Sequence, residues 1–307
     1  MQVEPPQVGM ARHVVRSLST FRPFPAGVDG LTPAWLDFTL AASWTIARDT
    51  KVLRFELPAP LTTLRALGTP SGVKCRTMAA NGELLDKSYS PISLPHADAH
   101  VDLLVKSYTP QRGGGLGHYL CNLAVGDSIE MRLKGERNWG GLPLRANRFK
   151  DIVLIGNGTG VAPLYQIANT VLCNPLERTR VRFISAHRSP ADYILQEEIN
   201  AWAVREPERF EARVAFSDAG GRRIDAELLS QWLPPPADDS PRDGGGAAEP
   251  PLAIVVCGTD GFLEDVSGSH VRVAVEGESK MRKLQGPIEG HLAALGYSER
   301  NCVVLKL

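Results

Sequence analysis

Residues 87–93 read KSYSPIS: a cation, a phenol and hydroxyls at the end of a strand-like stretch, then a proline. Lys87 can meet an anion, Tyr89 can lie along a planar ring and hydrogen-bond through its hydroxyl, and Ser90 can donate or accept. That set suits a polar, negatively charged ligand, and it equally suits a strand end with a turn behind it. A second stretch has the same double reading. GNGTGVAP (156–163) joins an apolar run, DIVLI at 151–155, to a helical pattern. Its glycines let backbone approach a ligand, and Pro163 suits a first helical turn. Free amides at a helix start attract anions, pyrophosphate among them. The spacing is not GxGxxG: Val161 stands where the third glycine would be, and no acid lies ~20 residues on, at the end of the next strand.

The composition narrows the chemistry. The 307 residues carry 34 Lys+Arg against 34 Asp+Glu, so the net charge is zero, which argues against a dedicated nucleic-acid binder. Five cysteines, Cys75, Cys121, Cys173, Cys257 and Cys302, show no CxxC or CxxH spacing. No metal framework follows, and a sparse odd set fits a reducing compartment. No apolar run approaches the ~18 residues that span a bilayer.

These residues need elements to hold them. From residue 37 to about 148 the pattern is one of short β-alternations, DFTLAASWTI, VLRFELP, HVDLLVKSY and DSIEMRL, with a short helix expected at Leu116–Leu123. Turn-rich spacing of this kind predicts a barrel or sandwich. From 151 the rhythm changes. DIVLI, APLYQIANTVL, RVRFISA, ADYILQEEINAWA, RFEARVAF, DAELLSQWL, AIVVC, PIEGHLAAL and CVVL alternate strand and helix, which predicts a doubly wound parallel sheet. The expected division is 1–33 as a leader, 34–148 as a β-barrel domain and 149–307 as an α/β domain.

Two stretches stand apart. ARHVVRSLSTFRPF (11–24) has Arg12, Arg16 and Arg22 and no acid, which fits a mitochondrial transit peptide or a basic leader with no address. PPPADDSPRDGGGAAEPP (234–251) reads as a solvated surface insertion. The segment from about Phe262 to Leu284 is longer than a simple connection needs.

Several motifs fall in order. Lys87-Ser88-Tyr89-Ser90 stands for R-x-Y-(S/T). Val101-Asp102-Leu103, Lys106 and Tyr108 match VDL-x-x-K-x-Y. Gly113-Gly114-Gly115-Leu116-Gly117-His118-Tyr119-Leu120 follows a GG-x-x-S-x-Y-L loop, with Gly126-Asp127 after it. Gly158 to Pro163 match GTG-(I/V)-x-P, and Leu233-Pro234-Pro235-Pro236 and Cys257-Gly258 complete the series. Over roughly Ala34 to Leu307 the chain resembles the NADH–cytochrome b5 reductase branch of the ferredoxin–NADP reductase superfamily. The resemblance implies a flavin-binding antiparallel β-barrel followed by a doubly wound parallel sheet for the pyridine nucleotide.

It also implies FAD and NADH as cofactors, and hydride passing from nicotinamide to flavin with electrons leaving singly to cytochrome b5 or another haem protein. Tyr89 and Ser90 would contact the flavin and Lys87 its phosphate. Gly114, Gly115, Leu116 and Gly117 would form the diphosphate loop, with Lys106 and Tyr108 nearby. Gly158, Thr159, Gly160 and Pro163 would carry the nucleotide, and Gly160 is expected to exclude any side chain because its backbone lies against the nucleotide diphosphate. Thr159 and Cys257, with Gly258, would position the nicotinamide at the ring junction.

Three departures bear on affinity and rate: Lys87 for arginine, which supplies charge without a planar fork, Gly117 for serine, and CGTDGF where CGPPPM is usual. After the second α/β strand, Arg188 and Ser189 could welcome a 2′-phosphate while Asp192 would repel it, so NADH is expected over NADPH. Two other readings stay open: a flavin- or nucleotide-binding module without turnover, and a flavin-dependent quinone or dye reductase.

Overall fold

The computed structural model describes residues 34–59, 61, 72–79, 81–93, 99–108, 115–134, 146–218, 220–236, 250–274 and 281–307. The leader, Gly113, Gly114 and the interior of the 234–251 insertion lie outside them.

The first half forms one antiparallel sheet from β1 (Trp35–Ala47), β2 (Thr50–Glu56), β3 (Gly72–Met78), β4 (Leu84–Tyr89), β5 (His100–Lys106) and β6 (Ser128–Lys134), in the order β4-β3-β6-β1-β2-β5. β1 makes the curl. Its first part, Trp35 to Thr39, pairs with β6, and its second part, Leu40 to Ala47, pairs with β2. Register shifts at Leu40/Ala42 and Thr45/Ala47 bend it between the two partners. Among the described residues the sheet stops short of a continuous closed ladder. Beyond β4 the chain crosses to the far edge, where Pro91 bridges Leu103 of β5 and the Ile92 amide donates to the Asp102 carbonyl at 2.9 Å. Phe38, Leu40, Phe55 and Leu103 turn fully inward, and helix α1 (Gly115–Cys121) plugs the cluster with Leu116 and Leu120.

The second half is a parallel sheet in the order β13-β10-β7-β8-β9: β7 (Asp151–Asn157), β8 (Arg180–His187), β9 (Phe210–Phe216), β10 (Leu252–Cys257) and β13 (Val303–Lys306). Helices α2 (Val161–Leu172), α3 (Gln196–Arg205), α4 (Ala226–Trp232), α5 (Asp260–Ser267) and α6 (Gly290–Ala294) connect and cover it. β7 lies centrally and is buried over six of its seven residues, which is why it reads as an unbroken apolar run. Strand order reverses at β7, so the crevice between the carboxyl ends of β7 and β10 is the topological switch point, the place where ligands bind in such sheets. One apolar cluster joins the halves: Ala47, Val52, Ile92 and Leu104 pack with Phe149, Leu154, Val161 and Leu164.

Two stretches differ from the pattern expected of the sequence. The helix foreseen over 191–203 begins at Gln196, because Pro190–Asp192 form a 3-10 turn and Leu195 takes a left-handed backbone (φ 58°). The long segment after Phe262 holds a hairpin of β11 (Val271–Val273) and β12 (Arg282–Leu284). It is anchored by Lys306, whose buried ammonium donates to the carbonyls of Ser269, Gly286 and Pro287 at 3.3, 3.0 and 2.6 Å. Burial pulls that lysine's pKa down.

Candidate active site

At the end of β4, Lys87 and Tyr89 lie on one face of the strand: Lys87 is exposed, Tyr89 packs against the barrel-side core, and Ser90 is buried. Among the described residues the buried Tyr89 hydroxyl has no hydrogen-bond partner, and burial, followed by the nearby Cys75, Cys121 and Tyr108, raises its pKa so that it stays a phenol. A buried hydroxyl with no protein partner is costly unless a ligand satisfies it. Lys87 Nζ stands 5.9 Å from the Tyr89 ring centroid and 6.0 Å from that of Tyr108, and Lys106 Nζ stands 6.0 Å from Tyr108, so two ammonium groups flank the phenols.

α1 starts beside them at Gly115, in a left-handed conformation (φ 38°). Leu116 anchors the helix in the core, and Gly117 faces β5 so closely that a Cβ there would come within 2.7 Å of the Lys106 carbonyl oxygen and 3.8 Å of the Tyr89 hydroxyl. The missing serine side chain is thus a packing requirement: α1 can sit this close only with glycine. Asp102 of the VDL stretch is held by a two-pronged Arg54, at 2.8 and 2.7 Å, and has a scaffolding role. Cation, phenol and small-residue helix start together fit a flavin with phosphate groups.

The nucleotide side starts where β7 ends. Gly158–Gly160 form a single 3-10 turn containing Thr159, with Gly158 at φ 51°, and the turn runs directly into α2, which buries Pro163 in its first turn. This turn lies beside β5 and β8, so the Lys106 strand meets the nucleotide loop. Gly160 itself has an ordinary helical φ of −59°. A Cβ on it would collide with the Cys257 carbonyl oxygen and come within 3.0 Å of Gly258 Cα. Gly258 is closed in by the Asn157 side chain, whose Oδ1 accepts the Thr259 amide at 3.2 Å. The side-chain exclusion at Gly160 therefore has a packing cause that the sequence pattern does not foresee. Cys257 is half-buried at the end of β10 and packs on the core cluster.

Asp192 proves to be engaged. Its side chain is only 8% exposed and accepts from Arg188 at 2.8 Å and from the Ser189 hydroxyl at 2.7 Å, with Arg48 at 3.9 Å. Burial works against its charge, but Ser189, Arg188 and Arg48 outweigh it and hold the carboxyl below its ordinary range. Arg188 also reaches Asp49 at 3.3 Å. Arg48 and Asp49 form the β1–β2 turn, and the Arg48 amide donates to the Ala191 carbonyl at 3.4 Å. Nothing in the local pattern distinguishes these two turn residues, and only the packing of the two sheets brings them to the site. His187, buried beneath, packs its ring against Tyr193, tilted at 42° with centroids 5.0 Å apart. Burial pushes its pKa down to about 4. Burial also lowers the Lys106 pKa, and Arg188 adds to it, while Asp49 and Asp192 resist.

A family model described as "Oxidoreductase FAD-binding domain" matches residues 37–136, and one described as "Oxidoreductase NAD-binding domain" matches residues 154–268. The chain is 28% identical over 301 residues to NADH-cytochrome b5 reductase 2 of Scheffersomyces stipitis, covering 96% of this chain and 91% of that protein. It is 30% identical over 272 residues to NADH-cytochrome b5 reductase 2 of Neurospora crassa, covering 86% and 71%. The cytochrome b5 reductase domain of Ulva prolifera nitrate reductase superposes with a TM-score of 0.61 at 24% identity, over 75% of this chain and 89% of that one, which bears on the fold. With the switch-point crevice, the paired cofactor half-sites and these likenesses in hand, the chain belongs to the NADH–cytochrome b5 reductase family.

Proposed function

We propose that this protein takes electrons from NADH onto FAD and hands them singly to a haem protein of the cytochrome b5 kind. The observation that carries the reading is the buried, unpartnered Tyr89 hydroxyl on one side of β5, with the Gly158–Gly160 turn beside the same strand. When bound, FAD supplies the chemistry, accepting a hydride and releasing electrons one at a time.

The chain's own residues hold and align. Tyr89 donates to the flavin, Lys87 and Lys106 balance its negative charge, and Gly115 to Gly117 admit its diphosphate. Gly158 and Thr159 orient the nucleotide, and Cys257 and Gly258 form the wall against which the nicotinamide stacks. The apolar cluster shared by the two sheets keeps water from the junction. Residues 34–148 serve the flavin and 149–307 the nucleotide. Two likenesses in name support the acceptor, since both fungal relatives are called cytochrome b5 reductases.

The test is an absorption spectrum of the purified protein, before and after anaerobic NADH, followed by mixing with oxidised cytochrome b5. A yellow protein that bleaches and then reduces the haem is expected. Bleaching with transfer to quinones or dyes alone moves the acceptor, and a colourless protein that refuses flavin leaves a binding module. The basic stretch at 11–24 further supports a mitochondrial address. Organelle fractionation checks it, and recovery in the cytosol alone would discard it.

A further inference from the structure

At the amino ends of the parallel strands, away from the crevice, the surface holds a cleft of about 570 Å³. β7 is seven residues long, which at strand rise sets this cleft about 20 Å from the glycine turn. Four cations line it: Arg148 and Lys150 before β7, and Arg178 and Arg180 around the start of β8, with Pro251 closing the β10 side. None of the cofactor chemistry uses them.

The two loops that bear these cations are fixed to one another. Glu177 is buried between them and accepts from the backbone amides of Asn147, Arg178 and Thr179 at 2.8, 3.2 and 3.2 Å. Asn147, in a left-handed conformation (φ 59°), returns the tie through its side chain, accepting the Arg178 amide at 2.7 Å and donating to the Leu176 carbonyl at 2.8 Å. A carboxylate with this many donors is a strong clamp. The backbone that bears the cations is therefore fixed before an anion arrives, and the ordering cost is confined to their side chains.

The charge is not balanced locally. Among the described residues, Asp151 is taken up by Arg180 at 2.9 Å and Glu177 is spent on the loop amides, which leaves two positive charges over at the cleft. Lys150 and Arg178, both exposed, share that excess with the half-buried Arg148. A phosphate group near neutral pH carries close to two negative charges, with several acceptor oxygens, and arginine matches it in a fork.

We propose that this cleft is a second anion site, which takes a doubly charged phosphate group carried either by a free phosphorylated small molecule or by a lipid headgroup. The site is separate from the cofactor crevice and stands whether or not the proposed acceptor is right.

The test uses full-length FAD-loaded protein saturated with NAD+, so that the crevice cannot accept the probe. Inorganic pyrophosphate is titrated calorimetrically. In parallel, phosphatidylcholine vesicles with and without phosphatidic acid, whose headgroup is a phosphate monoester, are sedimented with the protein. Lys150→Glu and Arg178→Glu are compared with wild type, with ferricyanide reduction by NADH and the melting temperature as controls. Lys150→Gln and Arg178→Gln replace any variant that fails to fold. About tenfold weaker pyrophosphate binding is expected in the Gln variants, the loss of one charged hydrogen bond, and a larger loss in the Glu variants, where a carboxylate also repels the probe, with NADH-dependent turnover unchanged. Binding only to the anionic vesicles, abolished in the same variants, assigns the headgroup source. Wild type that binds neither probe, or variants that bind as wild type does, overturns the proposal.

Discussion

The carbonyl oxygen of Cys257 fills the space that a side chain on Gly160 would take. The nucleotide turn and the end of β10 are thus in backbone contact at the switch point, and the glycine serves the crevice through packing. Gly160→Ala forces the two apart. Overpacking of this kind costs about 1–3 kcal/mol, so the melting temperature falls, and the displaced turn raises KM for NADH while the flavin spectrum persists. An unchanged melting temperature would remove the contact as the cause.

Tyr89→Phe separates ligand binding from folding. The hydroxyl has no protein partner among the described residues, so its loss leaves the flavin-free protein as stable as before or slightly more so. FAD affinity falls by about tenfold, the worth of one hydrogen bond to a charged or strongly polar group. Equal FAD affinity in fluorescence titrations would place the flavin elsewhere.

Gly117→Ser restores the hydroxyl found in related loops and is expected to harm. Its Cβ would stand 2.7 Å from the Lys106 carbonyl oxygen, a backbone atom that cannot rotate away. A stability loss of about 1–3 kcal/mol in urea unfolding is expected, together with weaker FAD retention. Tighter FAD binding in the variant would show that α1 can shift freely.

Asp192→Ser relieves the carboxylate that would meet a 2′-phosphate and releases Arg188 from its 2.8 Å ion pair. The ratio of kcat/KM for NADH over NADPH should narrow by about tenfold, the worth of one charge-assisted hydrogen bond from the freed guanidinium to the phosphate. Arg48 and Arg188 then repel each other near the β1–β2 turn, so the variant also loses stability at low salt. A ratio that does not move would show that the ribose lies away from this cluster.

His187 makes stability depend on pH. Burial lowers its pKa from 6.5 to about 4, and of the neighbours Asp192 favours the charged ring while Lys106 opposes it. Between those pH values the unfolded chain binds a proton that the folded chain refuses, so stability is full above pH 6.5 and declines as pH falls toward 4. The decline approaches ~3 kcal/mol. His187→Phe keeps a ring against Tyr193 and should flatten this part of the curve in denaturant titrations at stepped pH. An equally steep decline in the variant would assign the acid sensitivity to other groups.

Much of this protein is legible in its residues read in order. β7 and β10 are buried on both faces and so read as apolar runs, and the strand–helix rhythm after residue 151 follows from that burial. Tyr89, Gly158 to Pro163 and Cys257 stand at element ends, where local pattern and short motifs show through. β3 (GVKCRTM) is harder to see, because only half of its face is buried and its alternation is broken by Arg76 and Thr77.

The remainder depends on how the sheets pack, because the deciding contacts join residues far apart in the chain. Arg48 and Asp49 look like turn residues until the packing of the two sheets sets them against Arg188 and Asp192, 139 and 144 positions later. Gly117 and Gly160 are glycines for the sake of carbonyl oxygens on other strands, those of Lys106 and Cys257. A local pattern records which way a side chain faces. It does not record which backbone atom lies opposite, and at this site that atom sets the residue.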